Sequence, residues 1–122
     1  MNTDILFFFD GQPRLLEIYE ALEKRMLAQI SNVQLRIQKT QISFYNRHMF
    51  ACVSMRKLRG YAEKCLIVTF GLAYRKESER IFATVEACKN RWTHHVVLAS
   101  VEEIDGELLV WLGEAAEFSA GK

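Results

Sequence analysis

Val33-Gln34-Leu35-Arg36-Ile37-Gln38-Lys39-Thr40-Gln41-Ile42-Ser43-Phe44-Tyr45 is the stretch on which the fold turns. Apolar residues take every second place on either side of Lys39-Thr40, and a period of two sorts side chains onto the two sides of a strand. Two half-buried strands meeting at a bend is the direct reading. The segments outside this stretch follow other periods. Upstream, Leu15, Ile18, Tyr19, Leu22, Met26 and Ile30 recur every three or four residues behind Pro13, which suits a first helical turn, and this predicts an amphipathic helix over residues 13–30.

Downstream, Asn46-Arg47-His48 reads as a hairpin turn, and residues 49–55 and 65–72 are apolar on both sides, as in central strands. The basic loop Arg56-Lys57-Leu58-Arg59-Gly60 lies between them. Residues 80–88 alternate again, although a short helix also fits; Lys89-Asn90 can turn, and residues 91–99 supply a last strand. Ser100-Val101-Glu102-Glu103 has the form of a capping box, so a second long helix is expected over residues 101–118, with Val101, Ile104, Leu108, Trp111, Leu112, Ala115 and Phe118 as its apolar stripe. The order helix, strands, helix is that of an α+β fold. It calls for a mostly antiparallel sheet of about five to six strands (residues 33–99), with the N-terminal and C-terminal helices packed on one face. A length of 122 residues suits one domain, 1–122.

Charge is distributed along the same divisions. Between Val33 and Ala99 there are twelve Lys/Arg and four Glu, an excess of +8, while the remainder carries −7, so a net +1 conceals a basic middle between acidic ends. Such a partition creates a local positive surface that attracts anions. The apolar run Ile5-Leu6-Phe7-Phe8-Phe9 is much shorter than a membrane span and follows Asp4, which argues against an anchor or a secretory signal and points to a cytoplasmic protein with no membrane contact. Cys52, Cys65 and Cys88 are odd in number and lack paired spacing, so buried free thiols are expected rather than disulfides.

If Trp92, His94, Val96 and Leu98 face the helices, the other side of that strand shows Arg91, Thr93 and His95. The same bookkeeping puts Gln34, Arg36, Ser43, Tyr45, Ser54, Thr69 and Thr84 on the helix-free face. Arg91-Trp92-Thr93-His94-His95 is the densest candidate segment: His94 reads as a hydrogen-bonded core residue or as a ligand contact, and His95 as a surface residue or as part of an anion site with Arg91. Lys39, with Thr40 at the bend, is the other candidate, since a lysine and a hydroxyl there can meet phosphate or carboxylate as readily as solvent. No Gly-rich phosphate loop accompanies them. With no aspartate between Asp10 and Asp105, a carboxylate cluster for Mg²⁺ is hard to assemble, and zinc through Cys88 and His94 lacks two ligands; no metal and no cofactor are expected.

Lys39-Thr40-Gln41-Ile42-Ser43-Phe44-Tyr45-Asn46-Arg47, Phe50-Ala51, Gly71-Leu72 with Tyr74-Arg75, and Arg91-Trp92-Thr93-His94-His95 ahead of the last helix resemble a bacterial family. This is domain-of-unknown-function family 5655, small proteins sometimes labelled predicted transport proteins, and the likeness runs from about residue 8 to 118. More remotely, the chain is similar to the YdhG-like and YjbR-like α+β proteins. The resemblance implies a fold and two candidate positions, Lys39 and His94-His95, rather than a reaction. Relatives tend to carry prolines near the places of Glu79 and Cys88, which leaves residues 76–90 as the segment where this chain departs.

The leading functional reading is a non-enzymatic module that binds an anionic partner, nucleic acid or a small anionic ligand, through Arg36, Lys39, Tyr45, Arg91, His94 and His95. Two others stand beside it: an enzyme acting on a small anionic substrate with a histidine acid or base, and a homodimeric interaction protein joined through a sheet face or edge.

Overall fold

The structure, a computed structural model, describes residues 2–121. A short helix α1 (Thr3–Phe8) is followed by α2 (Pro13–Gln29), six strands β1 (Gln34–Ile37), β2 (Ile42–Tyr45), β3 (Met49–Lys57), β4 (Lys64–Leu72), β5 (Ile81–Cys88) and β6 (Arg91–Leu98), and a last helix α3 (Gly106–Ala120). The Asn2 side chain accepts from the Asp4 N–H to start α1, and Pro13 opens α2 as expected. Asn32 and Asn90, both with positive φ, turn the chain after α2 and between β5 and β6, a conformation that asparagine tolerates better than most residues.

The six strands form one antiparallel sheet in the order β1-β2-β3-β4-β6-β5. Helix α3 lies across β3 and β4, and α2 packs against α3 and β4, so both long helices cover the same face. Ring contacts fix which face that is: Tyr19 of α2 stacks 6.4 Å from Phe44 of β2, and Trp111 of α3 lies 5.8 Å from Phe70 of β4. Leu66, Val68, Val96 and Leu98 complete the buried side of the sheet. Each such side chain contributes roughly 1.5–3 kcal/mol on burial, which outweighs the cost of about 1 kcal/mol for Gly113 inside α3. Gly106 is the first residue of that helix, where the interior penalty does not apply in full.

Four expectations need correction. The Ser100 box does not start the long helix; Val101–Glu103 is a 3₁₀ turn, Ser100 caps nothing with its side chain, and α3 is capped by Asp105, whose carboxylate accepts from the Leu108 N–H. Glu103 does reach back, but to the Ala99 N–H at 2.6 Å. The alternative of a helix over 80–88 is replaced by the strand β5, and a bulge at Phe82 shifts its phase, so Thr84 pairs with His94 on the helix side instead of the free face. Cys52 and Cys65 are buried free thiols, whereas Cys88, at the end of the edge strand, is exposed.

Candidate functional site on the helix-free sheet face

Antiparallel register lines up one row across the sheet: Arg36, Ser43, Cys52, Thr69, His95 and Ala83, each paired with the next. Neighbouring rows hold Phe44, Phe70 and His94, which meet the helices, so this row faces the other way. Its middle is a line of small polar groups. The Thr69 hydroxyl sits 2.8 Å from Nδ1 of His95, and the same hydroxyl partly offsets the burial that pushes the Cys52 thiol up. Burial, then the nearby positive charge of Arg56, holds His95 below the ordinary imidazole range, so it is neutral at pH 7. In the tautomer where Thr69 donates to Nδ1, Nε2 carries the proton and presents an N–H donor outward. The ring of Phe82, bulged out of β5, leans on the imidazole at 6.0 Å.

The β1–β2 turn closes one side of this row. Gln38 N–H donates to the Gln41 carbonyl, the Gln41 amide donates to the Ser43 hydroxyl at 2.7 Å, and Ser43 donates to Gln38 Oε1. Ser43 is thereby fully covered on a face that carries no helix. Of the bend residues, Gln41 engages the sheet, while Lys39 and Thr40 are exposed at the tip.

Charge on the face is of one sign. Arg36, Arg56 and Arg91 fall in its phase, through pairing with Ser43 and Cys65 and through the alternation shared by Arg91, Thr93 and His95. Among the described residues, none of the three has a carboxylate partner within ion-pair distance. Glu86 is the one carboxylate in any strand, and it pairs with Trp92 in a row that turns toward the helices. Arg36 lies over the Tyr45 ring, 4.6 Å from its centroid. The cations on the helix side contrast sharply: Arg80 bonds Asp105 at 2.8 Å and Glu107 at 3.1 Å, and Lys76 pairs with Glu114 at 3.2 Å. Both cations also flank Trp111, at 5.7 Å for Arg80 and 5.8 Å for Lys76.

The six candidate residues do not converge. Lys39 and Arg91 stand at opposite ends of the sheet and on strands well apart, roughly 30 Å given strand spacings of about 4.8 Å and a rise of about 3.3 Å per residue. His94 is fully buried on the helix side, where its Nε2 accepts from the Lys76 N–H at 2.9 Å and its ring stacks on Phe70 at 5.0 Å. That leaves Arg36, Tyr45, Arg91 and His95 on the free face. Arg56, Cys52 and Phe82 join them, and each has a reason for escaping notice: β3 runs two residues beyond its apolar part, which carries Arg56 out of the loop; Cys52 sits in an apolar run; and Phe82 is exposed by a bulge. No group of three or more His, Cys, Asp and Glu able to hold a metal ion occurs among the described residues, and no helix is long and apolar enough to cross a membrane.

A family model described as a domain of unknown function, DUF5655, matches residues 7–119. The chain belongs to that family. The match covers α2, the whole sheet and all but the last residue of α3, so the helix-free face lies entirely within it. No curated protein and no solved structure matches the chain, and the more remote likeness to YdhG-like and YjbR-like proteins gains no support.

Proposed function

We propose that this protein is a non-enzymatic binding module that receives single-stranded nucleic acid on the helix-free face of its sheet. One observation carries the reading: three arginines without carboxylate partners share a sheet face whose strands present no acid, while Lys76 and Arg80 on the other side are neutralised in place. Unpaired cations spread over a strand surface meet successive phosphates, and Tyr45 and Phe82 offer rings on which bases stack. Neutral Thr69 and His95 between them supply hydrogen-bonding groups at little desolvation cost. The three free cysteines suit a reducing compartment, and we place the protein in the cytoplasm.

The test is fluorescence anisotropy with a labelled twelve-nucleotide single strand and its duplex at two salt concentrations. The expected result is single-strand binding that weakens as salt rises; no interaction with either at low salt removes nucleic acid from consideration.

A second reading, an enzyme using His95 as acid or base on a small anion, is favoured by one feature, the neutral imidazole whose Nε2 has no hydrogen-bond partner among the described residues. Against it, Nδ1 is oriented by a hydroxyl rather than a carboxylate, and Cys52 is one strand too far away to be activated directly. Homodimerisation through the β5 edge is disfavoured by bulges near both ends of that strand, a device that discourages edge pairing. Sedimentation across a range of salt distinguishes it, a monomer throughout being incompatible with a dimer.

A further inference from the structure

Gly71 is a glycine without a backbone reason. It lies on β4 in phase with Thr69 and opposite Thr93, on the helix-free side, and its φ is not positive. A Cβ built there meets nothing nearer than the Trp92 carbonyl oxygen at 4.0 Å, so no crowding excludes a side chain either. Beside the missing side chain is room: a recess of about 150 Å³ at the end of β3, β4 and β6, lined by Cys52, Thr69, Thr93 and Arg91 in the phase of Gly71, by Phe50, and by Trp92 and Phe118 from the helix side. Since a water needs about 10–15 Å³ of such space, the recess has room for about ten, the scale of one small ring.

We propose that this recess is a subsite for one unstacked nucleobase, with Arg91 holding the adjoining phosphate. The proposal rests on the reading of the helix-free face as a single-strand binding surface and gives that face a specific anchoring point. The rings in its lining suit the flat face of a base, and Thr69 and Cys52 bring a hydroxyl and a thiol to the same lining as partners for its polar edge. Arg91 has no carboxylate or hydrogen-bond partner among the described residues, so its guanidinium is available to a phosphate oxygen.

The experiment compares an eight-nucleotide oligothymidylate with an abasic strand carrying the same phosphates, on the wild type and on Gly71→Val. Valine suits a strand and its Cβ has space, so the variant tests the recess and not the fold. The wild type is expected to bind the base-bearing strand about tenfold more tightly than the abasic one; Gly71→Val binds both at the abasic level with an unchanged salt dependence. Independently of any variant, the amide resonances of Gly71 and Thr93 shift with the base-bearing strand and not with the abasic one. Equal wild-type affinity for the two strands, or a base preference that survives Gly71→Val with both amides unmoved, overturns the subsite and leaves the face reading intact. Failure of both strands to bind at low salt overturns both.

Discussion

The backbone N–H of Lys76 donates to Nε2 of the fully buried His94 over 2.9 Å, which fastens the chain between β4 and β5 to the interior. An imidazole that accepts at Nε2 is neutral, and burial keeps it so by holding His94 below the ordinary value of 6.5. His95 is depressed for the same first reason. The unfolded chain therefore takes up protons near pH 6.5 before the native one does. Native stability is complete above that pH and is lost as pH falls from about 6.5 toward the lower folded values. Urea unfolding at pH 7.5, 6.5 and 5.5 is expected to show a falling midpoint, and His94→Gln, which keeps an acceptor for the Lys76 N–H, flattens that fall. A midpoint constant over this range refutes the assignment.

Replacing His94 with alanine removes a stacked ring and strands two backbone groups, the Lys76 N–H and the Phe70 carbonyl. The expected loss is about 3 kcal/mol. Denaturant melting checks it, and a cost below about 1 kcal/mol means the ring is not holding the segment.

Ser119 ties the β2–β3 hairpin to α3: its hydroxyl donates to Asn46 Oδ1 and accepts from the His48 N–H, and Asn46 in turn donates to the Ala116 carbonyl. Ser119→Ala is expected to cost about 1–3 kcal/mol and to speed exchange of the His48 amide, because a buried network loses its centre. Exchange rates measured by NMR decide this; an unchanged His48 amide rules it out.

Arg80 bridges Asp105 and Glu107 and donates to the Glu103 carbonyl, strapping the segment before β5 onto the start of α3. Because its acidic partners are half-exposed, water screens the pairs, and Arg80→Ala is expected to cost only about 1 kcal/mol. Its clearer signature is limited proteolysis, with new cleavage within residues 75–79. Oligonucleotide affinity stays as in the wild type, since this cation is on the far side of the sheet.

On the binding face the opposite outcome is expected. Single-strand contacts lower the salt exponent by about 0.7 per phosphate neutralised, so Arg36→Gln, Arg56→Gln and Arg91→Gln each reduce the slope by roughly that amount. Anisotropy titrations from low to moderate salt give the slopes. Three variants with the wild-type slope would show that these arginines touch no phosphate.

Thiol labelling separates the cysteines. Exposed Cys88 is expected to react with a thiol reagent in the native protein, while Cys52, buried and raised above its ordinary pKa, and Cys65, also buried, react only on unfolding. Mass spectrometry of the native adduct should find one modified residue.

Much of this architecture is legible in the chain because period is a physical consequence of geometry. Val33 to Tyr45 alternates because one side of β1 and β2 is buried, and Leu15 to Met26 recurs every three or four residues because one side of α2 is. Alternation also separates His94 from His95 onto opposite sides, but which of them points inward follows only from the packing of His94 on Phe70. It fails where the period is broken: the bulge at Phe82 puts Thr84 on the wrong side, and Asp105, not Ser100, proves to be the cap because the chain makes a 3₁₀ turn first. Of the candidate site, the basic side chains can be read in sequence, but their separation cannot. Lys39 and Arg91 belong to distant strands, and only the strand order reveals the distance.

Strand β5 has a single neighbour, β6, and none of its residues is fully buried. Only β6 holds it to the rest of the sheet, so it is expected to detach in the native state more readily than the central strands. Its amides should exchange with solvent ahead of those of β3 and β4. Phe82, the ring beside His95, thus stands on an edge strand that can swing away while the hydrophobic core stays closed.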